Sequence, residues 1–192
     1  AIEFVGGSLS TSGGSDYITV KLSVLIKDLE LGFDLLSDII LNPAFSPEEI
    51  HRRKTVIKSS ILQQNEEPEV VASKAFLKAV FGQHPYGRPI EGTEETLENI
   101  TRQDIVDFHT SQYIPNNTIM AVVGDIDKNK LNYFLDKYLK NWLKKEAAAN
   151  SLPELKSADR IEVIKINKSI TQANIILGHL GIKRDNPDYY AV

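Results

Sequence analysis

Helical spacing of the apolar residues, cut at short intervals by proline and glycine, is what most constrains the fold of this chain. Asp28 stands as a cap before a run in which Leu29, Phe33, Leu36, Ile39 and Ile40 share one helical face, and Asn42-Pro43 closes it. Ser46-Pro47-Glu48-Glu49 opens a second helix, with serine at the cap, proline at the first helical position and glutamate in the first turn. Its apolar positions Ile50, Val56, Ile57 and Ile61 carry it to the neighbourhood of Gln64. Pro68 opens a third helix, whose stripe of Val71, Ala75, Phe76, Ala79 and Val80 ends at Gly82. Proline and glycine crowd His84 to Gly92 too closely for regular structure. Thr93 and Thr101 read as caps of two short helices, the second carrying Ile105, Phe108 and Tyr113. Asp127 to Trp142 is a last amphipathic helix.

Strand signals are fewer. Ser8 to Ser12 and Tyr17 to Leu25 flank Gly13-Gly14, and the second run alternates apolar with polar residues, which predicts an antiparallel hairpin. The first strand is short and built of small residues, as suits a sheet edge. Thr118 to Gly124 is a near-continuous apolar run of buried-strand type. Lys144 to Ser157 reads as a linker, and Ile161 to Ile166 and Ala173 to Leu180 as two further strands. The expected fold class is α+β, a two-layer arrangement with an antiparallel-rich sheet backed by helices. Residues 1–143 would belong to one domain, 144–158 to a linker, and 159–192 to the start of a second, similar domain. Ala1 to Gly7 reads as the tail of a helix at a Gly-Gly cap, and Asn186 to Val192 as a helix just beginning, so a longer parent chain is expected.

Composition narrows the function classes. The formal net charge is −4 with both signs interspersed, so neither nucleic acid nor an anionic membrane is expected as a partner. No cysteine is present, which removes disulfides, thiolate nucleophiles and Cys-based zinc sites but leaves the compartment open between bacterial periplasm and cytoplasm. The apolar stretches are too short to span a bilayer.

Four short segments in order carry a resemblance. They are His84-Pro85-Tyr86-Gly87-Arg88-Pro89, Gly92-Thr93-Glu94-Glu95, Tyr113-Ile114-Pro115-Asn116-Asn117 and Val122-Val123-Gly124-Asp125. Together with the Gly6-Gly7 hairpin and Leu41-Asn42-Pro43-Ala44-Phe45, they resemble the insulinase/pitrilysin family of zinc metallopeptidases, which includes mitochondrial processing peptidase. Gln172-Ala173-Asn174-Ile175 and Gly178-His179 are similar to the opening of that family's following domain.

The resemblance implies an inverted zinc motif, His-x-x-Glu-His, on one helix, with a third ligand, a glutamate, on a later helix. No His-x-x-Glu-His is present in the sequence, and the resemblance places that motif before the Gly-Gly hairpin. The third-ligand helix is present. Counting back about eight residues from Pro68 puts Ser60 at the ligand position, and Arg53 stands where many active members carry a supporting glutamate. Positions 54 to 65 hold no Asp or Glu, so a small shift of register does not restore a carboxylate. The resemblance therefore implies a catalytically silent member with no catalytic or metal-binding residue of its own. It would pair as a heterodimer with an active homologue that carries the zinc.

Such a member would shape a peptide chamber and a partner interface. Ser8, Leu9, Ser10, Thr11 and Ser12 would offer an edge strand that holds an extended peptide by β-augmentation. Two alternatives stay open: a piece of an active zinc peptidase whose motif lies upstream of Ala1, and an assembly scaffold with no peptidase role. The remaining polar features read as structural. His51 with Glu48 and Glu49 is an exposed helix start, His84 packs a loop, and His109 and His179 sit on a helix face and at a strand end. Gly13-Gly14 is a turn rather than a phosphate loop, Asp125 and Asp127 mark a strand-to-helix turn, and Lys140 to Lys145 is a solvated helix end.

Overall fold

A computed structural model of the chain describes residues 2–146, 151–155 and 159–192. Ile2 to Val5 make one 3-10 turn that stops at Gly6, whose φ of 70° lies in the left-handed region. Strand β1 (Ser8–Gly13) then pairs antiparallel with β2 (Ile18–Ser23), and the Gly14 N–H closes the turn on the Tyr17 carbonyl at 3.0 Å. Helix α1 (Leu29–Leu41) follows, then α2 (Pro47–Glu66) and α3 (Pro68–Phe81). Two short helices, α4 (Glu94–Asn99) and α5 (Arg102–Gln112), precede α6 (Lys128–Leu139). The fold is helix-rich with a small antiparallel sheet, consistent with the expected α+β class.

Capping explains most helix starts. Thr101 and Asp104 form a reciprocal capping box, with the Thr101 N–H donating to Asp104 Oδ2 at 2.7 Å and the Asp104 N–H to Thr101 Oγ1 at 3.2 Å. Asp127 accepts from the Lys130 N–H at 2.9 Å, and Ser46 and Thr93 do the same for α2 and α4. Asp28 differs from expectation. It holds the cap position of α1, but its side chain makes no cap bond, because Ile26 to Asp28 already form a 3-10 turn feeding the helix. α6 ends at Leu139 rather than Trp142, whose indole N–H instead donates to the Tyr113 carbonyl at 2.8 Å.

The chain divides into two compact units, Ala1–Arg53 with Asn99–Asn150, and Lys54–Glu98 with Ser151–Val192. In the first, the β-hairpin half-covers one face, with Leu9, Val20 and Leu22 half-buried. Register pairs Leu9 with Leu22 and Thr11 with Val20 on that face, while Ser8, Ser10 and Ser12 stand on the other opposite Ser23, Lys21 and Thr19. Gly32 lets α1 close on the sheet, since a Cβ there would lie 3.0 Å from Leu22 Cδ2 and 3.1 Å from Val24 Cγ2. The opposite side of α1 stacks Phe33 on Phe134 of α6, ring centroids 5.1 Å apart, and Leu36, Ile40 and Ile114 complete the buried set. The second unit is built around Ile61 of α2, Leu97 of α4 and the ring cluster of Phe81, at the end of α3, with His84 and Tyr86 of the loop after it. There Lys168 Nζ donates to the Asn65 carbonyl at 2.6 Å, closing the end of α2.

Three expected strands do not form. Thr118 to Gly124, Ile161 to Ile166 and Ala173 to Leu180 carry no ladder among the described residues. Thr118 to Gly124 is solvent-facing rather than buried, with Ile119 98% and Val123 99% exposed. The reason is pairing: β-propensity makes a strand only where a neighbour accepts its hydrogen bonds and covers its face. The tail Asn186 to Val192 forms isolated turns rather than a helix start. Ala1, and residues 147–150 and 156–158 of the expected linker, lie outside the described residues.

Candidate functional site

The position that the resemblance assigns to a third ligand lies on α2 in the second unit. Its serine-capped, proline-started sequence keeps the helix unbroken to Glu66, which places Ser60 two turns before the end. Ser60 is half-buried, and its hydroxyl accepts from Gln64 Nε2 at 3.3 Å; the same amide donates to Glu91 Oε1 at 3.2 Å. Lys54 and Lys58, four residues apart on one face, reach α4 instead. Lys54 Nζ donates to the Glu98 carbonyl at 3.0 Å, and Lys58 Nζ pairs with Glu98 at 2.6 Å and Glu94 at 3.7 Å. The hydrogen bond and charge of Lys58 hold the Glu98 carboxyl below the usual carboxylate range, and Glu98 in turn raises Lys58.

These residues do not fit a zinc ion. A hydroxyl and a primary amide are poor ligands, and Glu91, the carboxylate at hand, already accepts the Gln64 amide. Arg53, where the resemblance expects a supporting glutamate, is exposed. Among the described residues no three His, Cys, Asp or Glu side chains converge as a metal site would require.

The edge strand lies in the first unit. Among the described residues β1 pairs only with β2, so its outer edge presents backbone N–H and C=O groups to solvent. Beneath its Thr11 end opens a pocket of about 260 Å³. Val20 shares the floor with Thr11, Ile39, Pro43 and Phe45 come from the end of α1 and the link after it, and Ile105 and Phe108 come from α5. His109 and Tyr113 supply the polar wall. The His109 Nε2–H donates to the Ile40 carbonyl at 2.9 Å, and its ring stands edge-on to Phe45 and 4.6 Å from Tyr113. Burial raises the Tyr113 phenol above its ordinary range.

The other histidines take structural places. His84 is buried, and its Nδ1 accepts the Tyr86 N–H at 3.2 Å. His179 Nδ1 lies 2.7 Å from the Leu180 carbonyl, and exposed His51 sits beside an Arg52–Glu49 ion pair. The Thr11 pocket is a feature that the sequence reading missed. Its walls come from residues up to about a hundred positions apart in the chain, and no local pattern joins them.

Comparison with known proteins follows the same order of elements. Residues 1–94 match the family model described as insulinase (peptidase family M16), and residues 99–192 match the one described as peptidase M16 inactive domain. The chain belongs to the insulinase/pitrilysin peptidase family. Among its M16 relatives, an uncharacterized zinc protease of Mycobacterium leprae is 30% identical over 93% of this chain and 40% of its own length. An uncharacterized zinc protease of Streptomyces coelicolor is 27% identical over 100% of this chain and 43% of its own length. The chain thus spans about two-fifths of these curated relatives. A crystal structure described as a peptidase M16 inactive domain from Pseudomonas fluorescens shares the fold, with a TM-score of 0.74 over 81% of this chain and 38% of the other, at 22% identity. No helix among the described residues is long and apolar enough to cross a membrane.

Proposed function

We propose that this M16 chain is part of a non-catalytic subunit or domain of a zinc-dependent endopeptidase. It contributes an edge strand and a partner surface, while a homologous active subunit carries the metal. The observation that carries this reading is Ser60. At the position where the family resemblance calls for a ligand glutamate, a serine bonds to Gln64, and the same helix turns two lysines toward α4. Peptide, held along β1, is the expected substrate class.

A second reading, an active peptidase, is favoured by the names of the mycobacterial and streptomycete relatives, both zinc proteases. Metal content and peptide hydrolysis separate the two. The native protein should hold no stoichiometric zinc and cleave no peptide alone, and activity should appear or rise on mixing with its metal-binding homologue. One bound zinc with chelator-sensitive cleavage by the protein alone would establish the second reading instead.

A further inference from the structure

The stretch from Lys168 to Gly178 lies against the corner between α2 and α3 and is attached at its two ends. Lys168 Nζ donates to the Asn65 carbonyl at 2.6 Å and lies 3.5 Å from the Glu66 carboxylate. That carbonyl is among the last four of α2, which find no partner inside the helix, so an outside donor must satisfy it. Further along, Gly178 rests on Phe76 of α3: a Cβ there would lie 2.8 Å from the ring's Cζ and 3.4 Å from its Cε2. We propose that Lys168 to Gly178 is a strap that lifts from α3 while α2 and α3 stay folded.

Between the two attachments little holds the segment. It pairs with no strand among the described residues, and Ile175 and Leu177 face solvent at 87% and 95% exposure. The helices, by contrast, close their own backbone hydrogen bonds and are joined tightly through Glu67. The Glu67 N–H donates to the Gln64 carbonyl at 3.2 Å, and the Val71 N–H to the Glu67 carbonyl at 3.0 Å. Local opening follows the weakest set of contacts, and here that set rests on one lysine and one glycine.

What the strap covers is apolar. Helix α3 carries the stripe Val71, Ala75, Phe76, Ala79 and Val80, yet none of its residues is fully buried. Phe76 is half-buried, and Gly178 can lie on its ring because any side chain at that position would have to displace it. Lys168 and Gly178 belong to the later of the two matched regions, residues 99–192, and α2 and α3 to the earlier, residues 1–94. The strap therefore ties the end of the helix that carries Ser60 to the later part of the chain. Lifting it removes the outside donor from that helix end and leaves the Phe76 ring open to water.

Thiol labelling tests this on the native protein, because the chain has no cysteine of its own. Ala72→Cys places a half-buried thiol one turn before Phe76 on the same face, and Leu77→Cys, at a position 38% exposed, gives an open reference. The first should react with a disulfide reagent more slowly than the second. Gly178→Val sets a branched side chain against Phe76 and should speed labelling at position 72 about tenfold. Lys168→Met keeps the stem, removes the donor and should speed it about threefold. Neither should change the rate at Leu77→Cys or the far-UV circular dichroism. Rates at position 72 that both substitutions leave unchanged overturn the strap. So does labelling at position 72 with the urea dependence of global unfolding, since the site then opens only when the helices do.

Discussion

Helix α1 and the segment Thr118 to Gly124 are both apolar, yet they end in opposite environments. In α1, Phe33 is 4% exposed and Ile40 7%; in the other segment Ile119 is 98% exposed and Val123 99%. The difference lies in where backbone hydrogen bonds are made. A helix satisfies its own peptide groups within a few residues, so an amphipathic run needs only one apolar surface to settle on. α1 finds two, the β-hairpin at Gly32 and the aromatic face of α6. An extended segment needs a neighbouring strand before its side chains have a face to pack on. Among the described residues Thr118 to Gly124 has none.

The strongest way to break the comparison is to remove what α1 rests on. Phe33 stacks on Phe134 at 5.1 Å and on Tyr138 at 6.5 Å. Phe33→Ala should cost about 3–5 kcal/mol, because the neighbouring rings cannot close fully over the space left behind. Urea denaturation monitored by circular dichroism measures it. A loss below about 1 kcal/mol would mean that the α1–α6 contact contributes little and that the hairpin alone anchors the helix.

The same distinction explains what the sequence made legible. Caps at Ser46, Thr93, Thr101 and Asp127 were readable because each is a local exchange between a side chain and an N–H two or three residues on. The hairpin was readable for a similar reason, since two strands joined by glycines supply each other's partner. The later strands were not, because a pattern of apolar residues states a preference for pairing and not the presence of a mate. Ser60 was singled out only through the family resemblance, which set the count back from Pro68, and the turn of Lys54 and Lys58 toward α4 belongs to the tertiary packing. The Thr11 pocket is further still from a sequence signal, since it depends on a left-handed Phe45, in the link after α1, whose carbonyl accepts from Arg102 of α5.

A smaller effect sharpens the α1 side of the comparison through pH. Lys137 of α6 pairs with Glu30 of α1 and lies 5.1 Å over the Tyr138 ring. The hydrogen bond from Lys137, more than its charge alone, holds the Glu30 carboxyl below the usual carboxylate range. A carboxyl with a lowered folded-state pKa contributes stability above its unfolded pKa and loses it as pH falls through the folded one. The melting temperature should therefore decline more steeply between about pH 5 and pH 2 in the parent chain than in Glu30→Gln. Both partners are exposed, so the divergence should be modest and should shrink in high salt. Parallel acid limbs would show that the pair forms in the folded state without favouring it.

The smallest expected effect is the most telling about the other half of the comparison. Val123→Ser removes an apolar side chain that is 99% exposed, so the stability of this chain should change by no more than about 0.5 kcal/mol. The chain spans two-fifths of its relatives' length, and the same substitution can be made in a chain extended to that length. There, a loss of about 2 kcal/mol would show that Val123 has become buried against a newly paired strand. A null result in both backgrounds would mean that Thr118 to Gly124 stays solvent-facing throughout, and that its apolar character serves contact with another protein surface rather than the fold. A large loss in the present chain would contradict the exposed placement outright. Each outcome returns to the same physical point: a strand's stability belongs to the pair, and a mutation reports on it only when the partner is there.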